Sequence, residues 1–488
     1  MKRASGILLH ITSLPSPHGV GTLGQDAFAF VDFLKKAGQS YWQMLPITPT
    51  GYGDSPYQSN STFAGNPYLI DLDTLVSDGL LDAADCDLDW GDDPTRTDYG
   101  KLWALRLPVL KKAFLRFDRA EMAAFCDANA DWLPDYALFC AAKAHFSEAP
   151  WYAWPDEALK RRTPEALALY RERLREDCAF YCFVQYLFDR QWTALHAYAA
   201  ENGVSLIGDV PMYVPLDSAD TWASPHLFQL DETFTPTLVA GVPPDYFTEL
   251  GQLWGNPVYA WDAHRDEGFA WWIRRIGAMA RKFETVRIDH FRGLESFWSV
   301  PYGAADARPG QWYPGPGMDL VRAIKAALPS VRIIAEDLGY LTPEVKKLLS
   351  ESGFPGMRVM QFGFSPSADS RELPHNYCTH CVAYTGTHDN SPIMGWVQTA
   401  APQDLSFAID YLGLNEREGL PFGFARGLLT SVAELAILQL QDYLGEGDDK
   451  RMNWPGTMGW WTYRAARDDF SDALAARIRA YTKMSGRI

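Results

Sequence analysis

Short apolar runs bounded by turn-forming residues recur along this 488-residue chain and alternate with longer stretches of helical apolar spacing. Strand-like runs lie at 6–11, 41–47, 204–213, 285–291, 331–338, 356–364 and 382–387, and the eighth is placed at 436–443, after a helical-looking region over 416–432. Helical spacing marks 26–37, 269–283, 318–327 and 342–350. The last of these opens Thr342-Pro343-Glu344, a hydroxyl cap followed by a proline at the first helical position. Such alternation predicts parallel β/α units.

The spacing of the strands also predicts insertions. Roughly 155 residues separate the second strand from the third, far more than one crossover needs. A mainly helical subdomain is expected over 76–200, where ALRLPVLKKAFLRF, PDYALFCAAKAHF and DCAFYCFVQYLFDRQWTALHAYA each show helical apolar spacing. The stretch 216–261 is rich in Pro, Gly and aromatics and is expected to form a long loop able to cover a cleft. The barrel proper then takes about 1–75, 201–215 and 262–488, and the chain reads as a single elaborated catalytic unit.

Three acidic residues stand at the ends of strand-like runs: Asp289 in VRIDHFRG, Glu336 in IIAEDLG and Asp389 in TGTHDN. A parallel barrel gathers the C-terminal ends of its strands around one cleft, so acids separated by up to 100 residues can converge on one substrate atom. Cleaving an acetal with retention takes one carboxylate as nucleophile and one carboxylic acid as proton donor, roughly 5–5.5 Å apart. Asp289, beside Arg287, is expected to stay ionised with a depressed pKa and to serve as nucleophile. Glu336, after the apolar VRIIA, is expected to be desolvated, raised in pKa and suited to proton donation. Asp389, next to His388, could hold two sugar hydroxyls and favour a distorted ring. Taken singly, each acid could equally be a helix cap or an ion-pair partner.

Composition narrows the substrate. With 61 acidic and 44 basic side chains the formal net charge is −17, which disfavours nucleic acid and anionic membrane surfaces as partners. The 18 Trp, 23 Tyr and 26 Phe supply many flat apolar faces with polar tips, the kind on which a sugar ring stacks, although packing accounts for most of them. The start MKRASGILLHITSLPSP has Lys2 and Arg3, but His10, Ser13 and Pro15 interrupt its apolar run, so no signal peptide is expected. Seven scattered cysteines and no long uncharged apolar stretch lead us to expect a soluble chain in a reducing cytoplasm. The CTHC run at Cys378–Cys381 and the Cys178/Cys182 pair are expected to be ordinary thiols rather than a metal site.

Beyond these readings the chain resembles a known family, the 4-α-glucanotransferases of the amylomaltase or disproportionating-enzyme type, glycoside hydrolase family 77, related to the α-amylases. The resemblance runs through SGILLHITSLPSPHGVGTLG, YWQMLPITPTGYGDSPYQSNSTFAGNPYLIDL, GDVPMYV, GVPPDYFTELGQLWGNPVYAW, VRIDHFRG, AEDLG, GMRVMQFGF and GTHDN. It implies a (β/α)8 TIM barrel with large, mainly helical insertions between strands. It also implies double-displacement transfer of α-1,4-glucan segments from malto-oligosaccharides or amylose to a glucan or glucose acceptor, with no metal or organic cofactor.

The same resemblance implies Asp289 as nucleophile, Glu336 as acid/base and Asp389 as transition-state stabiliser. Arg287, His388 and Asp209 carry over as substrate and nucleophile contacts, Tyr57 as the stacking residue beside the reacting sugar, and Ser55 as a hydroxyl contact. Asp245, Trp254 and Asn256 fall in the flap over the cleft, where Phe247, Trp254, Tyr259 and Trp261 are expected to form an apolar lid that favours a sugar acceptor over water. In one departure, NWPGTMGWWTYR puts Trp460 where the family has Asn before Trp461 and Arg464, and this segment is expected to shape acceptor subsites or close the barrel without touching the catalytic centre. Two other functions remain open at this point: an α-amylase-like hydrolase, and a silent glucan-binding protein on the same scaffold.

Overall fold

The computed structural model describes residues 3–244, 248–365 and 368–488. Twelve strands form in chain order: β1 (Ala4–Leu8), β2 (Tyr41–Gln43), β3 (Ser205–Val210), β4 (Leu238–Val242), β5 (Gln252–Pro257), β6 (Thr285–Ile288), β7 (Ser296–Pro301), β8 (Gln311–Pro314), β9 (Arg332–Ala335), β10 (Gly356–Val359), β11 (Cys381–Tyr384) and β12 (Leu435–Gln439). Eight of them close a parallel barrel in the order β1-β12-β11-β10-β9-β6-β3-β2. The TIM barrel implied by the resemblance is therefore present, and each expected strand segment overlaps one of its strands.

The expected strands overrun the observed ones at their C-terminal ends, for a common reason. Chain after β6 turns into the 3-10 helix Phe291–Leu294, and chain after β10 turns into Met360–Gly363, so these residues leave the ladder to line the barrel mouth. The eighth segment likewise stops as a strand at Gln439 and continues as the helix Leu440–Leu444. Only 420–429 of the 416–432 region is helical, because Gly419 at φ 79° enters it and Pro421 sits in its first turn. Thr342 caps the helix Pro343–Ser352 by accepting from the Val345 N–H, and Gly353 at φ 67° closes it.

Between β2 and β3 lie the helices Tyr99–Arg116, Leu133–His145 and Arg175–Glu201, with shorter turns between them. The 27-residue helix Arg175–Glu201 belongs to two cores at once. Phe180, Phe183, Leu187 and Phe188 pack with the barrel, while Cys178, Tyr181 and Cys182 pack against a second cluster built on Trp151, Trp154 and Trp222. Burying aromatics on both sides fastens the helical layer to the barrel rather than leaving it tethered.

The stretch expected as one long loop, 216–261, is more ordered than that. It contains the helix Ala219–Ala223 and strands β4 and β5, which join β7 and β8 in an antiparallel sheet ordered β5-β4-β7-β8. Gly241, Gly251 and Gly255 and the prolines mask these strands in sequence, since neither residue type favours a ladder. Among the described residues no helix is long and apolar enough to cross a membrane.

Candidate active site

Register builds the site. Asp209 on β3 lies opposite Arg287 on β6, so both side chains point to the same face of neighbouring strands. Arg287 Nη1 meets Asp209 Oδ2 at 2.6 Å, and Nη2 meets Asp289 Oδ1 at 2.9 Å, two residues on and therefore on the same inner face. Ile288 on β6 pairs with Ala335 on β9, which brings the next residues, Asp289 and Glu336, to adjacent strand ends. Adjacent strands stand about 4.8 Å apart, the scale on which two carboxyl groups can flank one glycosidic bond.

Glu336 is fixed by backbone. Its Oε2 accepts from the His290 N–H at 2.7 Å and its Oε1 from the Leu338 N–H at 2.7 Å. His290 holds left-handed backbone angles (φ 49°, ψ 47°), a conformation non-glycine residues rarely adopt, and this aims its N–H at the carboxyl. Glu336 is 8% exposed, and burial raises its pKa against the opposing pull of Arg287 and the two N–H donors.

Asp289 corrects an expectation. Arg287 does contact it, yet its pKa stands well above the ordinary carboxylate range rather than below. Burial is the main cause; Arg287 opposes it, and the negative charges of Asp209, Glu336 and Asp389 add to it. Arg287 is shared with Asp209, so one cation cannot offset the whole cluster. The Asp289 side chain keeps 28% exposure, so the desolvation is that of a crowded cleft rather than of a sealed core. Arg287 itself stays charged: burial opposes its charge, but Asp209 and Asp289 outweigh burial and raise its pKa.

Asp389 stands on the far side of the cluster, its Oδ1 accepting from Asn453 Nδ2 at 2.6 Å and lying 3.3 Å from His388 Nε2. Burial lowers the His388 pKa, so the ring is neutral near pH 7. Tyr57 lies flat against His388, with ring centroids 5.2 Å apart and 16° between planes, and its hydroxyl donates to Asp209 Oδ2 at 2.7 Å. Trp461 leans on both rings, at 5.7 Å from Tyr57 and 6.0 Å from His388.

The remaining expected residues divide. Trp254 meets the His290 ring edge-on at 4.9 Å, which puts it beside the Glu336 anchor. Asn256 exchanges amide hydrogen bonds with Gln58 at 3.3 and 3.4 Å, and Ser55 Oγ accepts from the Tyr57 N–H at 3.2 Å; both shape the turn that presents Tyr57. Asp245 and Phe247 lie outside the described residues. Tyr259 and Trp261 are not lid residues. They are 0% and 6% exposed, and Tyr259 donates its hydroxyl to the Met212 carbonyl within an aromatic cluster that includes Trp272. The Gly, Asn and Pro just before them resemble a surface loop in sequence, but tertiary packing takes both rings inward.

The C-terminal segment also differs from expectation, since part of it reaches the catalytic centre. Trp460 points away, donating to Thr457 Oγ1 at 2.6 Å, whereas Trp461 and Asn453 reach the centre. Arg451 holds this segment to it by donating to the Asp389 carbonyl and to Ser391 Oγ. The Asn-Trp pair at 453–454 was the available signal for Asn453. Among the described residues no three His, Cys, Asp or Glu side chains converge as a metal ion requires.

Comparison with known proteins accords with this geometry. The sequence profile of a family described as 4-alpha-glucanotransferase matches residues 9–469. A 4-alpha-glucanotransferase from Thermus thermophilus is 46% identical over 503 aligned positions, covering 100% of both chains. One from Clostridium butyricum is 44% identical, covering 98% of this chain and 100% of its own. The solved amylomaltase from Streptococcus agalactiae, in complex with acarbose, superposes with a TM-score of 0.97 at 42% identity over 100% of both chains.

Proposed function

Because the chain belongs to the 4-alpha-glucanotransferase family, we propose that it moves α-1,4-glucan segments between malto-oligosaccharides or amylose and an acceptor glucan or glucose by retaining double displacement. Asp289 attacks the anomeric carbon while Glu336 gives its proton to the departing glycosidic oxygen, leaving a glycosyl ester on Asp289. Glu336 then takes the proton from the acceptor 4-hydroxyl, which displaces the ester and restores the α link.

The observation that carries this reading is the pairing of Ile288 with Ala335, which sets Asp289 and Glu336 side by side while giving them different partners. Burial raises both carboxyls, and their partners divide the roles: Asp289 is bonded to the Arg287 cation, as a nucleophilic carboxylate requires, while Glu336 sits desolvated on two backbone N–H groups, as a proton donor requires. Asp389, oriented by Asn453 and His388, takes the role of holding sugar hydroxyls as the ring flattens. Trp254 beside His290 is the described residue best placed to shield the ester from water. A cytoplasmic setting suits a chain with seven free cysteines.

Incubation with maltotriose alone tests the proposal. Longer oligomers and free glucose at constant reducing ends are expected, and Asp289→Asn should abolish both while leaving the fold intact. Rising reducing ends with falling chain length would make the enzyme a hydrolase, and full turnover by Asp289→Asn would overturn the nucleophile.

A further inference from the structure

Away from the catalytic centre, an open cleft lies between the helical insertion and the barrel wall. Its sides come from Trp132 and Asp131 of the insertion, Phe63 after β2, Ala223 after β3, and Arg274 on the helix Ala270–Ala280. Each barrel segment lies at the catalytic face. Chain leaving β2 and β3 starts there, and the helix Ala270–Ala280 starts there too because it runs back to feed β6. Phe63 is six residues beyond Tyr57, so the two lie within roughly 20 Å, the most an extended chain of that length can span.

We propose that this cleft is a second binding site for an α-1,4-glucan segment, with Trp132 as its stacking face and Asp131 and Arg274 as hydroxyl partners. The proposal rests on the glucan-transfer reading above. Trp132 is half-buried and held rigidly: its ring lies 6.2 Å from Phe63 with 21° between planes, it leans on Tyr136 at 5.9 Å, and its Nε1 donates to Asn129 Oδ1 at 2.9 Å. A fixed aromatic face costs little entropy when a sugar ring settles on it.

The polar rim points the same way. The Asp131 and Arg274 side chains make no hydrogen bond or ion pair among the described residues, although nearby Asp135 is engaged by Arg162 at 2.7 Å and Arg171 at 3.1 Å. Both are exposed and face the cleft as unused hydrogen-bonding groups. The carboxylates of Asp131, Asp135 and Asp220 in its walls disfavour an anion, whereas a neutral pyranose offers both an apolar face and hydroxyls.

Trp132→Ala and Arg274→Ala, assayed with maltotriose and with long amylose, test the site. Both variants should keep the wild-type kcat and KM for maltotriose, while the KM for amylose rises about tenfold for Trp132→Ala and about threefold for Arg274→Ala. Calorimetric titration of maltoheptaose into the Asp289→Asn chain should show two sites, one of them weakened about tenfold by adding Trp132→Ala and about threefold by adding Arg274→Ala. Arg274 is exposed and unpaired, so its variant keeps the test valid should Trp132→Ala loosen the insertion. An unchanged amylose KM together with an unchanged second-site affinity in both variants, or a single site in the Asp289→Asn chain, would overturn the proposal. A wild-type chain that transfers nothing from maltotriose would sink the glucan-transfer reading instead, and the titration still scores the second site.

Discussion

Asn453→Ala isolates a residue whose only evident task is to aim another. Its Nδ2 lies 2.6 Å from Asp389 Oδ1, and His388 Nε2 stands farther from that oxygen, at 3.3 Å. A hydrogen bond to a charged group contributes about 1.5–3 kcal/mol. The Asp389 side chain is 41% exposed, so water replaces part of what is lost and the lower end, ~1.5 kcal/mol, applies. At 1.4 kcal/mol per decade this becomes a fall of about tenfold in kcat/KM for maltotriose. The loss should fall on kcat, because Asp389 is assigned to the distorted ring rather than to the bound substrate. Initial rates of glucose release, with thermal unfolding as a control for the fold, measure it. In an Asp389→Asn background the same substitution should add almost nothing, since the contact it removes no longer aims a carboxylate. Unchanged kcat in the single variant, or fully additive losses in the double variant, would refute the reasoning.

Four further outcomes are expected. Glu336→Gln should lose transfer from maltotriose by several orders of magnitude yet still release a rapid burst of about one equivalent of fluoride from α-maltosyl fluoride, whose leaving group needs no proton; absence of that burst would remove Glu336 as the acid. Asp209→Asn deletes one of the charges that raise Asp289, so the Asp289 pKa falls and the acid limb of the kcat/KM profile moves to lower pH; a limb that stays or moves up contradicts the charge argument. Glu446, mainly through burial, is raised from 4.5 to about 7 despite accepting from Tyr463 at 2.8 Å, so its stabilising contribution is full below pH 4.5 and fades as pH rises through 7. Glu446→Gln should therefore raise the unfolding free energy at pH 8 by on the order of 2 kcal/mol, after allowance for partial exposure, and leave it unchanged at pH 4; equal effects at both values would refute this. Gly65→Ala would place a Cβ 2.1 Å from the Phe188 ring and should cost about 1–3 kcal/mol in urea unfolding; a neutral result would show that the ring can move.

Apolar runs mark the barrel in the sequence because a strand covered on both faces has little room for polar residues, as in β11 and β12. The same reasoning finds Asp289, Glu336 and Asp389, since a charge at the end of such a run breaks its pattern. Where contacts form between distant segments, the pattern is silent. Nothing local distinguishes Trp254, which meets His290, from Tyr259 and Trp261, which turn inward on Trp272. Asn453 is 64 residues from Asp389 along the chain, and their pairing emerges only once the segment after β12 folds across the barrel mouth. The direction of the Asp289 pKa is hidden in the sequence for the same cause: Arg287 is only two residues away along the chain, while Asp209, which shares that cation, is contributed by the neighbouring strand.

That sharing bears on how the centre works. Asp209, Asp289, Glu336 and Asp389 surround a single guanidinium, with His388 kept neutral by burial. A lone Arg287–Asp289 pair would neutralise the nucleophile and hold it down. With Asp209 taking Nη1, the nucleophile is anchored through Nη2 yet remains in a region of surplus negative charge. Such a region is costly while empty, which is why burial and mutual repulsion push the carboxyls toward their protonated forms. It becomes favourable when positive charge develops on an anomeric carbon, because the compensating charges are already in place and need not reorganise. The strain visible in the resting site and the stabilisation required in the transition state thus have the same source, a cluster with more carboxylates than its one cation can satisfy.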